Sequence, residues 1–119
     1  MIEEYHFGSI TINGQTYQHD VEVRWTGEVL EWRFRQRHLI DVEEVKRAVE
    51  EKPDTIIIGH GESGLAEVTP AAQEFIKQHG IELILDWTES AIKTFNLRLE
   101  KVQEEGKKEK IIGLFHLTC

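Results

Sequence analysis

The chain has 119 residues, with 14 Lys and Arg against 22 Asp and Glu and a net charge of −8. That length suits one domain built on one sheet with its covering helices. The acidic balance argues against nucleic acid or an anionic membrane as partner. Apolar residues are 39% and charged residues 30% of the chain, so an ordinary core under a heavily solvated surface is expected. No apolar run of membrane-spanning length and no cleavable leader is visible, which points to a cytoplasmic protein. Cys119 is the only cysteine, so no internal disulfide can form. Glu and Lys dominate the charges and Asn occurs only at Asn13 and Asn96, a surface of the kind seen in thermophile proteins.

The first third reads as β structure. Phe7 to Ile12 leads into Asn13-Gly14, a type I′ hairpin signal because both residues tolerate positive φ. Gln15 to Trp25 follows, with Tyr17, Val21 and Val23 as buried positions. After Gly27, Val29 to Arg35 alternates, with Leu30, Trp32 and Phe34 opposite Glu31, Arg33 and Arg35, the pattern of a sheet with one wet face. If that strand runs on to Arg37, then Arg33, Arg35 and Arg37 form a basic stripe, suited to an acidic partner or to pairing with the abundant Glu. Trp25, Trp32 and Trp87 are expected in the core.

The remainder alternates helix and strand. Asp41 with Glu44 makes a capping box ahead of Val42, Val45, Ala48 and Val49, and Pro53 stops that helix. Thr55 to Ile58 reads as a buried strand. Thr69-Pro70 opens a helix to about Gln78, ended by Gly80. Ile81 to Leu85 is the next strand. Thr88 is expected to cap a long helix with Ala91, Ile92, Phe95, Leu99 and Val102 on its inner face, and Asn96 at the margin to bond a loop backbone. Gly106 turns the chain into a last strand, Ile111 to Leu117. Two strand–helix–strand units in series call for parallel neighbours joined by right-handed crossovers. The fold expected is therefore α/β, with a mixed sheet containing a parallel βαβαβ core and an N-terminal antiparallel β layer.

In such a sheet ligands bind outside the carboxyl ends of the strands. Gly59, His60, Gly61, Glu62, Asp86, His116 and Cys119 all fall at that edge, and they are the candidate ligand-binding residues. Gly59-His-Gly-Glu-Ser-Gly64 has the letters of a dinucleotide loop, but the next helix opens only at Thr69 and Glu62 sits where pyrophosphate would lie. His60, Glu62, His116 and Cys119 include zinc-ligating types without a zinc spacing. Cys119 near His116 could form a thiolate–imidazolium pair, or be an inert thiol. Ser63 lacks the G-x-S-x-G context of a nucleophile elbow. No catalytic residue, cofactor or metal is assigned. A protein partner is expected at this edge, or a small anion on glycine-loop amides.

The tail is similar to a family of small proteins of unknown function. It carries Asp86-Trp-Thr-Glu-Ser-Ala-Ile-Lys-Thr-Phe-Asn96, then Glu105-Gly106, then Leu114-Phe-His-Leu-Thr-Cys119; Phe7-Gly8-Ser9-Ile10, Tyr17, Asp20 and Ile58-Gly59-x-Gly61 also fit. The family resembled includes archaeal and bacterial hypothetical proteins, mitochondrial complex I assembly factor 3 and an adipogenesis-associated vertebrate protein. The resemblance implies a three-layer α/β domain with a mixed central sheet and an additional β layer, without established catalytic residues. The whole chain reads as a single domain and as a non-catalytic binding or assembly module. The alternative is a small-ligand-binding protein or enzyme using the Gly59–His116 edge.

Overall fold

The structure is a computed structural model that describes Met1–Cys119 throughout. In chain order it contains β1 (Ile2–His6), β2 (Ser9–Ile12), β3 (Gln15–Tyr17), β4 (Val21–Arg24), β5 (Val29–Glu31), β6 (Leu39–Ile40), α1 (Val42–Glu50), β7 (Thr55–His60), β8 (Glu67–Val68), α2 (Pro70–Gln78), β9 (Glu82–Asp86), α3 (Thr88–Glu105) and β10 (Ile111–His116). The central sheet has the order β5-β4-β10-β7-β9. β10 runs parallel to β7, and β7 parallel to β9, while β4 joins β10 antiparallel. The parallel βαβαβ core and the mixed sheet are as the sequence pattern indicates.

Side chains on a strand alternate between faces, and both faces of this sheet are covered. Ile56, Ile58, Ile112 and Leu114 pack on one side with Val45, Ala48 and Val49 of α1 and Ala72 and Ile76 of α2. Ile57, Ile111 and Phe115 pack on the other with Ala91, Ile92, Phe95 and Leu99 of α3 and with Ile2, Ile10 and Ile12. Those last three belong to the separate antiparallel sheet β1-β2-β3, which shares a layer with α3. Burial on both faces explains why β7 and β10 read as unbroken apolar runs.

Helix ends follow local chemistry. The Asp41 carboxylate accepts from the Glu44 backbone and the Glu44 carboxylate from the Asp41 N–H at 2.9 Å, the reciprocal capping box, and Asp41 also accepts from the Val42 N–H at 2.9 Å. Thr69 caps α2 through the Ala72 N–H at 3.0 Å and donates to Asp41 at 2.8 Å, so the two caps are joined. Asn13 and Gly14 both have positive φ, at 50° and 83°, as the type I′ turn between β2 and β3 demands.

The β region departs from the sequence expectation in four places. Phe7 does not open a strand; Phe7-Gly8 is the turn between β1 and β2, and β1 itself was hidden by its run of charges. The expected strand from Gln15 to Trp25 breaks at Gln18–Asp20, and its halves lie in different sheets. The strand from Val29 ends at Glu31, because the Trp32 indole turns in to donate to the Glu44 carbonyl at 2.8 Å. The Arg33–Arg37 stripe is consequently not on a strand: Arg33 pairs with Glu31 at 2.9 Å and Arg35 with Glu44 at 3.1 Å. Trp87 is 58% exposed rather than in the core. Asn96 bonds a strand end rather than a loop, accepting from the Ile2 N–H at 3.0 Å and donating to its carbonyl at 2.8 Å.

Candidate functional site

The carboxyl ends of β7, β9 and β10 form one edge, and the sheet divides the expected residues between its faces. His60 and His116 are opposite one another in the parallel register, on the face of α1 and α2. Asp86 pairs with Gly59 and therefore lies on the α3 face, exposed, its carboxylate accepting from the Trp87 N–H at 2.8 Å. Glu62 is exposed and belongs to a cleft between β1 and α3. The edge thus brings the seven candidates near one another without pointing them at one centre.

The glycine loop is spent on the chain's own packing. A Cβ at Gly59 would stand 2.8 Å from the Thr88 Cα, so glycine lets α3 begin against β7. Gly61 has φ +112°, and a Cβ there would run into the Cys119 carbonyl. Its amide donates to the Thr88 hydroxyl at 2.9 Å, and that hydroxyl donates to the His116 carbonyl at 2.6 Å. The Glu62 amide donates to the Thr118 carbonyl at 2.7 Å, Leu65 to the Cys119 carbonyl at 2.8 Å, Gly64 to Gly61 at 3.3 Å and Ala66 to His60 at 3.0 Å. These amides form no open nest for an anion. Thr88 is the first residue of α3, not its side-chain cap; its buried hydroxyl is the rivet between loop, helix and last strand.

His116 is 6% exposed and held on every side. Its Nδ1 lies 2.7 Å from an Asp20 carboxylate oxygen, and its Nε2 lies 3.3 Å from the Thr118 hydroxyl. The second Asp20 oxygen accepts from the Leu117 N–H at 2.8 Å. Phe34 stacks on the imidazole with centroids 5.2 Å apart, and His38 meets it edge-on at 5.5 Å. A carboxylate–imidazole–hydroxyl chain is the outline of an activated nucleophile. Here the hydroxyl contact is long, the ring is covered, and the neighbouring loop amides that could steady an oxyanion donate within the chain. The chain of groups pins the tail to Asp20. No set of three or more His, Cys, Asp or Glu side chains is arranged to hold a metal ion.

What surrounds this edge is apolar and exposed. Phe7, Leu65 and Trp87 are 55%, 63% and 58% exposed, and Leu85 is also open. Phe7 stands beside Gly8, whose amide donates to the Leu117 carbonyl at 2.8 Å, and Leu65 is tied to Cys119. Trp87 lies against Gly64: a Cβ there would be 2.8 Å from the indole nitrogen and 3.2 Å from the His60 ring. Three turns thereby present three large apolar side chains around the strand ends. Sequence reasoning missed Phe7 and Leu65, although each adjoins a turn glycine, where an apolar side chain is easily left in water.

Tyr5 lies beneath the rim, its hydroxyl donating to the Leu117 carbonyl at 3.2 Å. Burial, then the negative charges of Glu62, Glu89 and Asp20, push its pKa up to about 12. The folded state therefore holds this proton more tightly than the unfolded chain. The stabilisation is complete below the ordinary value of 10.0 and is lost as pH rises from there through about 12. A phenolate absorbance titration of the folded protein should show Tyr5 ionising late, and Tyr5→Phe should remove that late step. A Tyr5→Phe variant that still shows it would contradict this account.

The family described as a protein of unknown function (DUF498/DUF598) matches residues 2–107. Among solved structures, a conserved hypothetical protein of Pyrococcus horikoshii is 25% identical with a TM-score of 0.80, over 100% of this chain and 99% of that one. The protein called MT938 is 28% identical with a TM-score of 0.77, over 100% and 98%. A Bordetella parapertussis protein shares the fold alone, at 18% identity and a TM-score of 0.76, over 97% and 92%. No helix of this chain is long and apolar enough to cross a membrane.

Proposed function

The chain belongs to the DUF498/DUF598 family, and from that premise we propose that it is a non-catalytic binding or assembly module whose C-terminal sheet edge docks a protein partner. The exposure of Phe7, Leu65 and Trp87 around the strand ends carries this reading. Large apolar side chains gathered at one place on a soluble surface mark an interaction site, whereas scattered ones do not. Trp in particular anchors protein interfaces, because it buries much area at little entropic loss. The family that the tail resembles includes a mitochondrial complex I assembly factor, which supports the same class of role. Of the family-like residues, Gly59, Gly61, Asp20 and His116 then serve to hold the edge rigid beneath its rim.

Photo-crosslinking in cells tests the reading. A crosslinking side chain at position 87 should capture a discrete protein, and Leu65→Ser should abolish that capture without moving the thermal midpoint, since exposed substitutions change stability little. The same group at position 97, where Leu97 is 65% exposed further along α3, is the control. Capture from position 97 as strong as from position 87 would sink the assignment.

A further inference from the structure

The rim continues into a cleft, and the cleft's charge specifies what the rim would hold. Between β1 and the start of α3 lies a space of about 390 Å³, walled by β1 and the Phe7 turn on one side and by Glu89, Ile92, Lys93 and Asn96 on the other. Phe7 belongs to both rim and cleft. Trp87 is the residue before α3 and Glu89 stands in its first turn, while on the loop Glu62 precedes Gly64, against which Trp87 lies. Apolar contact and cleft are therefore continuous.

Four carboxylates line this cleft: Glu3, Glu4, Glu62 and Glu89. Glu3 is engaged, accepting from the Asn13 and Gly14 amides at 3.0 and 2.6 Å. Glu4 faces His6 at 3.9 Å and Glu89 faces Lys93 at 3.7 Å, both pairs largely in water. Glu62 takes part in none of the ion pairs of the protein. Exposed pairs of this kind contribute little to stability and are readily exchanged for a partner's charge. The negative field is already felt within the protein, since Glu62 and Glu89 help hold the Tyr5 proton.

Resting on the docking role proposed above, we infer that the occupant is a basic, extended segment of a protein partner, with a Lys or Arg side chain in the cleft against Glu62 and Glu89 and the adjacent apolar side chain on Trp87 and Leu65. Arginine suits the position best. Its guanidinium can bridge two carboxylates and lie on an aromatic face at once, and Phe7, which lines the cleft, supplies such a face. An acidic segment would meet repulsion at the cleft, so charge selects the partner while the rim supplies contact area.

The probes are two peptides on one frame, Gly-Arg-Leu-Arg-Phe-Gly and Gly-Glu-Leu-Glu-Phe-Gly, titrated into the full chain and followed by amide chemical shifts. The basic peptide should move Tyr5, Phe7, Glu62, Trp87 and Glu89, and the acidic one should not. Glu62→Lys/Glu89→Lys should weaken binding about tenfold or more, as close charge pairs at interfaces do. Glu100→Lys/Glu104→Lys, the same change of net charge on the exposed far end of α3, should leave it unchanged. Equal binding of both peptides at Trp87, or equal weakening by the distant pair, overturns the charge selection while leaving the docking rim standing. Shifts confined to the Arg33–Arg37 segment overturn both. No shift at any residue overturns the inference.

Discussion

Glu22→Ala should destabilise the protein by about 3 kcal/mol and lower its thermal midpoint by roughly 10 °C. The Glu22 side chain is 1% exposed on β4, between Arg24 Nε at 2.9 Å and Arg47 Nε at 3.0 Å. Arg24 also reaches Glu28 and Glu51, and Arg47 donates to the Glu31 carbonyl, so one carboxylate fastens β4, β5 and α1 together. Deleting it leaves the largely buried Arg24 guanidinium without its nearest counter-charge. Breaking one side of a buried pair is costly for that reason, even where the intact pair adds little over an apolar replacement. Glu22→Gln should lose less, because one oxygen still accepts. Denaturant unfolding measures both, and an alanine variant within about 1 kcal/mol of the parent would contradict this account.

Thr88→Val should cost about 2 to 3 kcal/mol, although it preserves shape. The lost hydroxyl both accepts from Gly61 and donates to His116, and each of those backbone groups would remain buried without a partner. Thr88→Ser should recover most of the loss. The two variants also separate local from global effects. Hydrogen exchange at Gly61 and Glu62 should accelerate in Thr88→Val more than exchange in α1, because the hydroxyl joins the loop to the last strand. Uniform acceleration throughout the chain would make Thr88 an ordinary core position.

The α/β half was legible because its signals are local. Asp41 with Glu44 and Thr69 with Pro70 are caps readable within four residues, and β7 and β10 are apolar runs with no competing period. The first third was less so. β1 has the burial pattern of a strand whose exposed positions carry Glu3, Glu4 and His6, and only its packing on Asn96 and Ile92, some ninety residues away, identifies it. The end of β5 at Glu31 depends on where the Trp32 indole finds a carbonyl, a tertiary fact. At the site, the topology was legible and the roles were not. Glycines that admit a phosphate and glycines that admit the chain's own backbone have the same letters. Only the approach of Thr88 and Cys119 distinguishes them. Likewise Asp20 reaches His116 across 96 positions, and no spacing rule links them.

β10 lies between β4 and β7, yet it follows both in the sequence by more than fifty residues. A ribosome therefore delivers the two flanks of the sheet long before the strand that joins them. Until then β4–β5 and β7–β9 are separate, each with an open hydrogen-bonding edge and an uncovered apolar face. Pairings of such long range form slowly, since closing the loop comes before the contacts that reward it. The nascent chain should thus be most open to chaperones, and most prone to pair with a sister chain, in the interval just before Ile111 to His116 emerges. A chain stalled there would expose the slot that β10 fills. A peptide spanning that strand, added in trans, would be its natural complement.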